Sequence, residues 1–189
     1  TALMYAARRD HVRVVQRLLS IPGLDPNLTD NRGDAPLAEA SRVGNLAMVE
    51  ALLACSRCDL NAQNNEGLTA LMWAVREDHM PVVQRLLSLP ELDPNLTDVD
   101  GDTPLADACY FGNLAVVEAL LASNRYNLNA QNKEGLTALM WAVREDHMQV
   151  VQRLLSLPEL DANLTDVDGD TPLADACYFG NLAVVEALL

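Results

Sequence analysis

Between Thr69 and Asp102 the apolar residues come in two short bursts. Leu71, Met72, Ala74 and Val75 make the first; the polar pair Asp78-His79 interrupts, and Val82, Val83, Leu86 and Leu87 make the second. Each burst returns to one side of a 3.6-residue turn, which predicts two short helices with one apolar face apiece. Thr69 stands where a hydroxyl caps the first helix, and Pro104 and Pro172 follow the matching Thr elsewhere, as a first-turn proline should. Pro81, whose counterpart is Gln149, fits the first turn of the second helix, and Pro90 is expected to stop that helix. An extended stretch from Leu92 to Thr97 then leads to a tight tip at Asp98-Val99-Asp100-Gly101.

The same pattern returns every 34 residues, opening at Thr1, Ala35, Thr69, Thr103, Thr137 and Thr171. Six helix pairs are therefore expected, in repeats of about 1–34, 35–68, 69–102, 103–136, 137–170 and 171–189. Helices this short do not persist alone, so each needs a neighbour against its apolar face. Stacking is expected to bury Leu71, Val83 and Leu87 against their equivalents. The fold class is all-α, a solenoid forming one array over 1–189. Such stacks offer a surface and lack a single core enclosing a reaction centre. Both end repeats are apolar, without a polar capping unit, which suggests excision from a longer chain.

Thr103-Pro104-Leu105, Ala108, Gly112-Asn113, Val116-Val117, Leu120-Leu121, Asp59-Leu60-Asn61-Ala62 and Gly67 follow the order of an ankyrin repeat. The whole chain resembles that family. The resemblance implies stacked antiparallel helix pairs with hairpin-like loops, and partner binding along the loop tips and exposed first-helix face. Three departures stand out. The family's His after Thr-Pro-Leu is Met72 or Ala106 here, so its side-chain hydrogen bonds are expected to be lost. The period is one residue longer than the usual 33, and the family's glycine in that loop is missing. Odd repeats carry Asp10, Asp78 and Asp146 where even repeats keep Gly44, Gly112 and Gly180. A left-handed backbone there would cost Asp about 1 kcal/mol relative to Gly. The family's Asn hydroxylation motif is matched at Asn61 and partly at Asn129; Asn61 is expected simply to bond loop backbone.

Odd and even repeats differ in type, so the true unit is 68 residues long. Residues 69–121 match 137–189 at 51 of 53 positions, the exceptions being Pro81/Gln149 and Pro94/Ala162. Recent duplication is the default explanation. Carried over position by position, the family's binding face falls on Trp73, Arg76 and Glu77, repeated as Trp141, Arg144 and Glu145. In the even repeats it falls on Asp107, Tyr110 and Phe111, repeated as Asp175, Tyr178 and Phe179. Spacings of i, i+3 and i+4 set each trio on one helix face, and Trp, Tyr and Arg are favoured at interface hot spots. Packing against the next repeat would account for the tryptophans equally well, and a solvated face for Arg76 and Glu77.

Charge narrows the partner. With 27 acids against 13 bases and Lys133 the one lysine, the net charge is −14. That disfavours nucleic acid and anionic membranes, and would draw a basic protein, although acidity also simply keeps an array soluble. Cys55 and Cys58 form one C-x-x-C whose counterparts are Ser123 and Tyr126, too few ligands for zinc. Cys109 and Cys177 occupy a position expected to be small and buried. No disulfide framework is suggested, which favours a reducing, intracellular and cytoplasmic setting. Asp98, Asp100 and Asp102 invite a calcium reading, but Gly101 and Cys109 fall wrongly for an EF-hand loop, and an Asp-x-x-Gly tip suffices. His11, His79 and His147 each follow Asp at the inter-helix turn. Acid–base chemistry needs convergence that translation along a stack does not supply, so turn and cap roles are expected. No phosphate loop or metal motif appears. The expectation is a non-catalytic, monomeric protein- or peptide-binding module without cofactor or metal. Alternatives are a recognition segment of a larger immune-type receptor or secreted effector, and a passive spacer.

Overall fold

The computed structural model describes residues 1–189. It contains twelve helices and divides into two compact units, Thr1–Val99 and Asp100–Leu189. The first unit holds α1 (Ala2–Arg8), α2 (Val12–Leu19), α3 (Pro36–Arg42), α4 (Leu46–Leu53), α5 (Ala70–Arg76) and α6 (Met80–Leu87). The second holds α7 (Pro104–Tyr110), α8 (Leu114–Ala122), α9 (Ala138–Arg144), α10 (Met148–Leu155), α11 (Pro172–Tyr178) and α12 (Leu182–Leu188). Within each unit, first helices pack on first helices (α1 on α3 on α5; α7 on α9 on α11). Second helices stack likewise, α2 on α4 on α6 and α8 on α10 on α12. An all-α repeat stack is what the two-burst pattern required.

Caps set where the first helices begin. The hydroxyls of Thr1, Thr69, Thr103, Thr137 and Thr171 each accept from the backbone N–H three residues on, at 3.2 Å. Ala35 has no such group, and its helix opens on Pro36 alone. The missing histidine is partly replaced: the Met72 and Met140 sulfurs accept from the Thr69 and Thr137 N–H at 3.5 and 3.4 Å. A flexible thioether at that position therefore keeps a weak form of the bond that sequence reading gave up. Pro81 lies in the first turn of α6, and the helix ends at Leu87, before Pro90.

Each unit has its own apolar core. Leu37, Met48, Leu52, Leu71 and Leu86 are fully buried in the first unit, as are Leu120, Leu139, Met140 and Leu154 in the second. Leu71 and Val83 are buried as expected, but Leu87 is only half-buried, because it lies at the rim of the face that Val83 and Leu86 centre. The stretch from Leu92 to Thr97 is not continuously extended. A turn at Pro94-Asn95 interrupts it, where the Asp93 carboxylate accepts from the Asn95 N–H at 3.0 Å.

Loops lock to loops. Asn61 bonds loop backbone as expected, but the backbone is that of the following repeat: its amide donates to the Glu91 carbonyl at 3.0 Å and accepts from the Asp93 N–H at 2.8 Å. Asn27 and Asn129 do the same for their own successors. At the tips, one backbone bond of 2.9 Å joins successive loops, from Val99 N–H to Glu66 O and from Val167 N–H to Glu134 O.

Candidate protein-binding surface

The odd-type first helices α5 and α9 aim their tryptophans back onto the preceding even-type repeat. The Trp73 indole donates to Asp34 at 3.0 Å, and the Trp141 indole to Asp102 at 2.9 Å. Both rings are half-buried. The Arg42 guanidinium lies 6.0 Å from the Trp73 ring centre, and at the equivalent place the Tyr110 ring meets Trp141 edge-on, 5.2 Å between centroids. Each indole thus has a seat, with a carboxylate for its N–H and a flat or cationic group against its ring. The accepting aspartates are separated from their tryptophans by 39 residues, more than one repeat, so no local spacing advertises them. Asp34 is fully buried and also accepts from the Asn64 amide at 2.8 Å.

The arginines are braces. Arg144 donates to Asp166 in its own loop at 2.7 Å and to both oxygens of Asp175 in the following repeat, at 2.8 and 3.1 Å. Arg8 repeats the arrangement with Asp30 at 2.7 Å and Glu39 at 3.2 Å, and Arg76 holds Asp98 at 2.7 Å. Glu39, only 3% exposed, also receives Arg42 at 2.9 Å and Arg32 at 3.3 Å. Burial alone would raise its carboxyl pKa, but the Arg42 bond and charge, then those of Arg8, hold it below the ordinary range. Asp166 is likewise held low, chiefly by the N–H of Asp170, with the Arg144 bond adding to it against partial burial.

Of the twelve candidate residues, these contacts leave six facing solvent: Glu77, Tyr110, Phe111, Glu145, Tyr178 and Phe179. Asp107 and Asp175 are buried, and Trp73, Arg76, Trp141 and Arg144 are half-buried. Tyr110 and Phe111 pack edge to face at 5.0 Å between centroids, and Tyr178 and Phe179 repeat the pair at 5.1 Å. The second unit therefore displays two preset aromatic ledges at the C-terminal ends of α7 and α11.

A sequence model of ankyrin repeats, in copies of three, matches residues 1–64, 37–132 and 105–189. The chain belongs to the ankyrin repeat family. The ankyrin repeat domain of Bcl-3, described as a unique member of the IkappaB protein family, shares 30% identity. It matches with a TM-score of 0.88 over 98% of this chain and 80% of that one. EF0377, an ankyrin repeat protein, matches at 0.90 over 99% and 96%, and at 24% identity that likeness bears on the fold alone. None of the curated proteins matches the sequence.

Within this ankyrin array the alternation of Asp-His with Gly-Asn has a physical cause. Both types of turn are left-handed, with φ of 56° to 59° at Asp10, Asp78 and Asp146 and of 67° to 72° at the glycines. A Cβ on Gly44 would lie 2.5 Å from the His79 ring, and one on Gly112 would lie 2.3 Å from His147. Even repeats therefore need glycine because the next odd repeat lays its imidazole there. The asparagine beside each glycine caps its own second helix and reaches back: Asn45 donates to Asp10 at 2.6 Å, and Asn181 donates to Asp146. The histidines do not cap their own helices. The Nε2 atoms of His79 and His147 instead meet the last carbonyl of the preceding first helix, Arg42 O at 3.1 Å and Tyr110 O at 2.9 Å. Since a carbonyl only accepts, that nitrogen carries the proton. The cap expected of them serves a neighbour.

The aspartates of the loop tips organise turns. Asp166 takes the Asp168 and Asp170 N–H groups on one oxygen and Arg144 on the other. Cys109 is buried, whereas Cys177 is exposed. Burial, then the neighbouring Cys55 and Asp59, pushes the Cys58 thiol up to about 12. No helix is long and apolar enough to cross a membrane.

Proposed function

We propose that this chain is a non-catalytic binding module that grips a basic protein or peptide partner through the aromatic ledges of its second unit, Tyr110-Phe111 and Tyr178-Phe179. One observation carries the reading: these adjacent aromatics stand in solvent with their relative orientation already set, whereas the Trp73 and Trp141 indoles are each bonded to an aspartate. Preset aromatic side chains gain affinity because little rotamer freedom is lost on contact. The exposed carboxylate of Glu145 and the overall charge of −14 supply steering toward a cationic partner. The non-catalytic part of the reading is supported by His79 and His147, whose Nε2 meets a backbone carbonyl of the preceding repeat, and by Asp10 and Asp146, which accept from the asparagine of the following one. A cytoplasmic setting is supported by four free thiols.

Affinity purification from the native source, with the chain and with a Tyr110→Ala, Phe111→Ala, Tyr178→Ala, Phe179→Ala variant, tests this. Loss of the retained partner in the variant, with unchanged helix content, is expected. Retention of every partner would place recognition elsewhere.

A further inference from the structure

The loops after α4 and α8 differ at one position that matters. Cys58 stands in the first unit where Tyr126 stands in the second, 68 residues on. The frame around the two is the same. Asn61 and Asn129 each donate to the backbone carbonyl of a glutamate in the following repeat, Glu91 at 3.0 Å and Glu159 at 2.9 Å. Each also accepts from the N–H of an aspartate two residues beyond, Asp93 at 2.8 Å and Asp161 at 2.9 Å. The glutamates ride on identical turns, Leu89-Pro90-Glu91-Leu92 and Leu157-Pro158-Glu159-Leu160, closed by backbone bonds of 3.3 and 3.2 Å.

Inside that frame the second unit places a phenol. The Tyr126 hydroxyl donates to the Glu159 carboxylate at 2.9 Å, so this side chain bridges the fourth repeat to the fifth. The backbone takes its own path to do so. There α8 runs on to Ala122 and Asn124 turns left-handed at φ 55°, whereas the first unit makes a plain turn from Cys55 to Cys58, closed by a bond of 2.9 Å.

The first unit has no ring at this place. A cavity of about 460 Å³ opens there between Cys58 and Glu91, with Leu53, Leu60 and Leu89 on its wall. That volume lies within the range of small-molecule clefts, about 300–1,000 Å³. The three leucines recur in the second unit as Leu121, Leu128 and Leu157. Asp59, at the rim, spends one carboxylate oxygen on the Asn61 N–H at 2.9 Å. The Glu91 carboxylate is exposed and makes no bond or ion pair within the chain, whereas its counterpart Glu159 holds the phenol.

We propose that this cavity binds a small phenol, its ring against Leu53, Leu60 and Leu89 and its hydroxyl donating to Glu91 as the Tyr126 hydroxyl donates to Glu159. The occupant follows from the second unit, which carries the same leucines and the same glutamate and supplies that group itself. A hydroxyl donating to a carboxylate makes a charge-assisted bond, so the ligand needs a donor on its ring. Anions are turned away by Glu91 and Asp59. The site belongs to the first unit alone and is independent of the aromatic ledges of the second.

Titration of the 189-residue chain with p-cresol, the free counterpart of a tyrosine side chain, tests the proposal by ligand-observed NMR. Circular dichroism confirms the fold of each variant. One saturable site with a Kd of about 1 mM or tighter is expected. Toluene, which lacks the hydroxyl, should bind about fivefold or more weaker. Cys58→Tyr should abolish binding by filling the site from within, whereas Cys58→Ser, which leaves the room open, should bind as the parent does. Glu91→Ala should lower p-cresol affinity to that of toluene. Glu91 is exposed, so this variant tests the hydroxyl contact even where the tyrosine variant folds poorly. No saturable binding up to about 10 mM overturns the proposal. So does p-cresol binding that a folded Cys58→Tyr chain retains, or an affinity that Glu91→Ala leaves unchanged.

Discussion

Gly112→Ala is the sharpest probe of the alternating junctions. Two separate costs are expected. Gly112 sits at φ +67°, and alanine in that left-handed region costs about 1–2 kcal/mol. The new methyl carbon would also lie 2.3 Å from the His147 ring. Ordinary contact begins near 3.5 Å, so the ring must retreat by roughly 1 Å. It cannot do so freely, because its Nε2–H is held by Tyr110 O at 2.9 Å. Overpacking of this kind, including any weakening of that hydrogen bond, adds about 1–3 kcal/mol. The total is about 2–5 kcal/mol. His147→Ala alone should cost about 1–2 kcal/mol, and in the double variant the clash vanishes. The cycle should therefore show a coupling of about 1–3 kcal/mol in the direction of relief. Gly180→Ala is the control, with φ +71° and open space, so it carries the backbone cost alone. Urea unfolding followed by Trp141 fluorescence in a Trp73→Phe background reads the affected junction directly, which matters because stacked repeats can unfold in steps. Additivity of Gly112→Ala and His147→Ala within about 0.5 kcal/mol would refute the reasoning.

Other tests follow the same contacts. Glu39→Gln removes the charge that gathers Arg8, Arg32 and Arg42, and should destabilise the chain by about 1–3 kcal/mol, discounted because those arginines are 33% to 50% exposed in their side chains. Glu39, Asp30 and Asp166 are all held below their ordinary values of 4.5 and 3.8, so their stabilisation is complete above about pH 4.5 and fades as pH falls through the lowered values. Acid titration of Glu39→Gln should accordingly show a shallower loss than the parent; an unchanged slope would mean the arginines do not hold that carboxylate. Iodoacetamide should label Cys177 first and Cys109 last. Cys58 should react slowly because its thiol, pushed up to about 12, stays protonated near neutrality. Equal rates at Cys109 and Cys177, mapped by mass spectrometry, would show that α7 and α9 do not stay packed.

The period of 34, the helix pairs, the threonine caps and the place of Pro81 were all legible in the chain, because each depends on residues within one turn of one another. What failed depends on contacts between repeats or on adaptable side chains. The Met72 thioether took up a bond expected to vanish, and Leu87 drifted to the rim. Pro94-Asn95 broke an extended stretch with a turn that only the Asp93 carboxylate makes favourable. The candidate surface divided for the same reason. Trp141 and Tyr110 read alike as aromatics on helix faces, yet one has a carboxylate waiting a full repeat earlier and the other packs only against rings. Likewise the Asp-His and Gly-Asn alternation was plain, but not that each pair completes its neighbour.

The proposed binding rests on this division between aromatics that pack against other repeats and aromatics that face solvent. Titrating the purified partner against Tyr178→Ala/Phe179→Ala and against Trp141→Phe, with melting of each variant, tests it most directly. The first variant should bind about tenfold or more weaker at an unchanged melting temperature, and the second should bind as before while losing about 1 kcal/mol of stability with its bond to Asp102. The opposite pattern, with partner affinity lost in Trp141→Phe and kept in the surface variant, would contradict it.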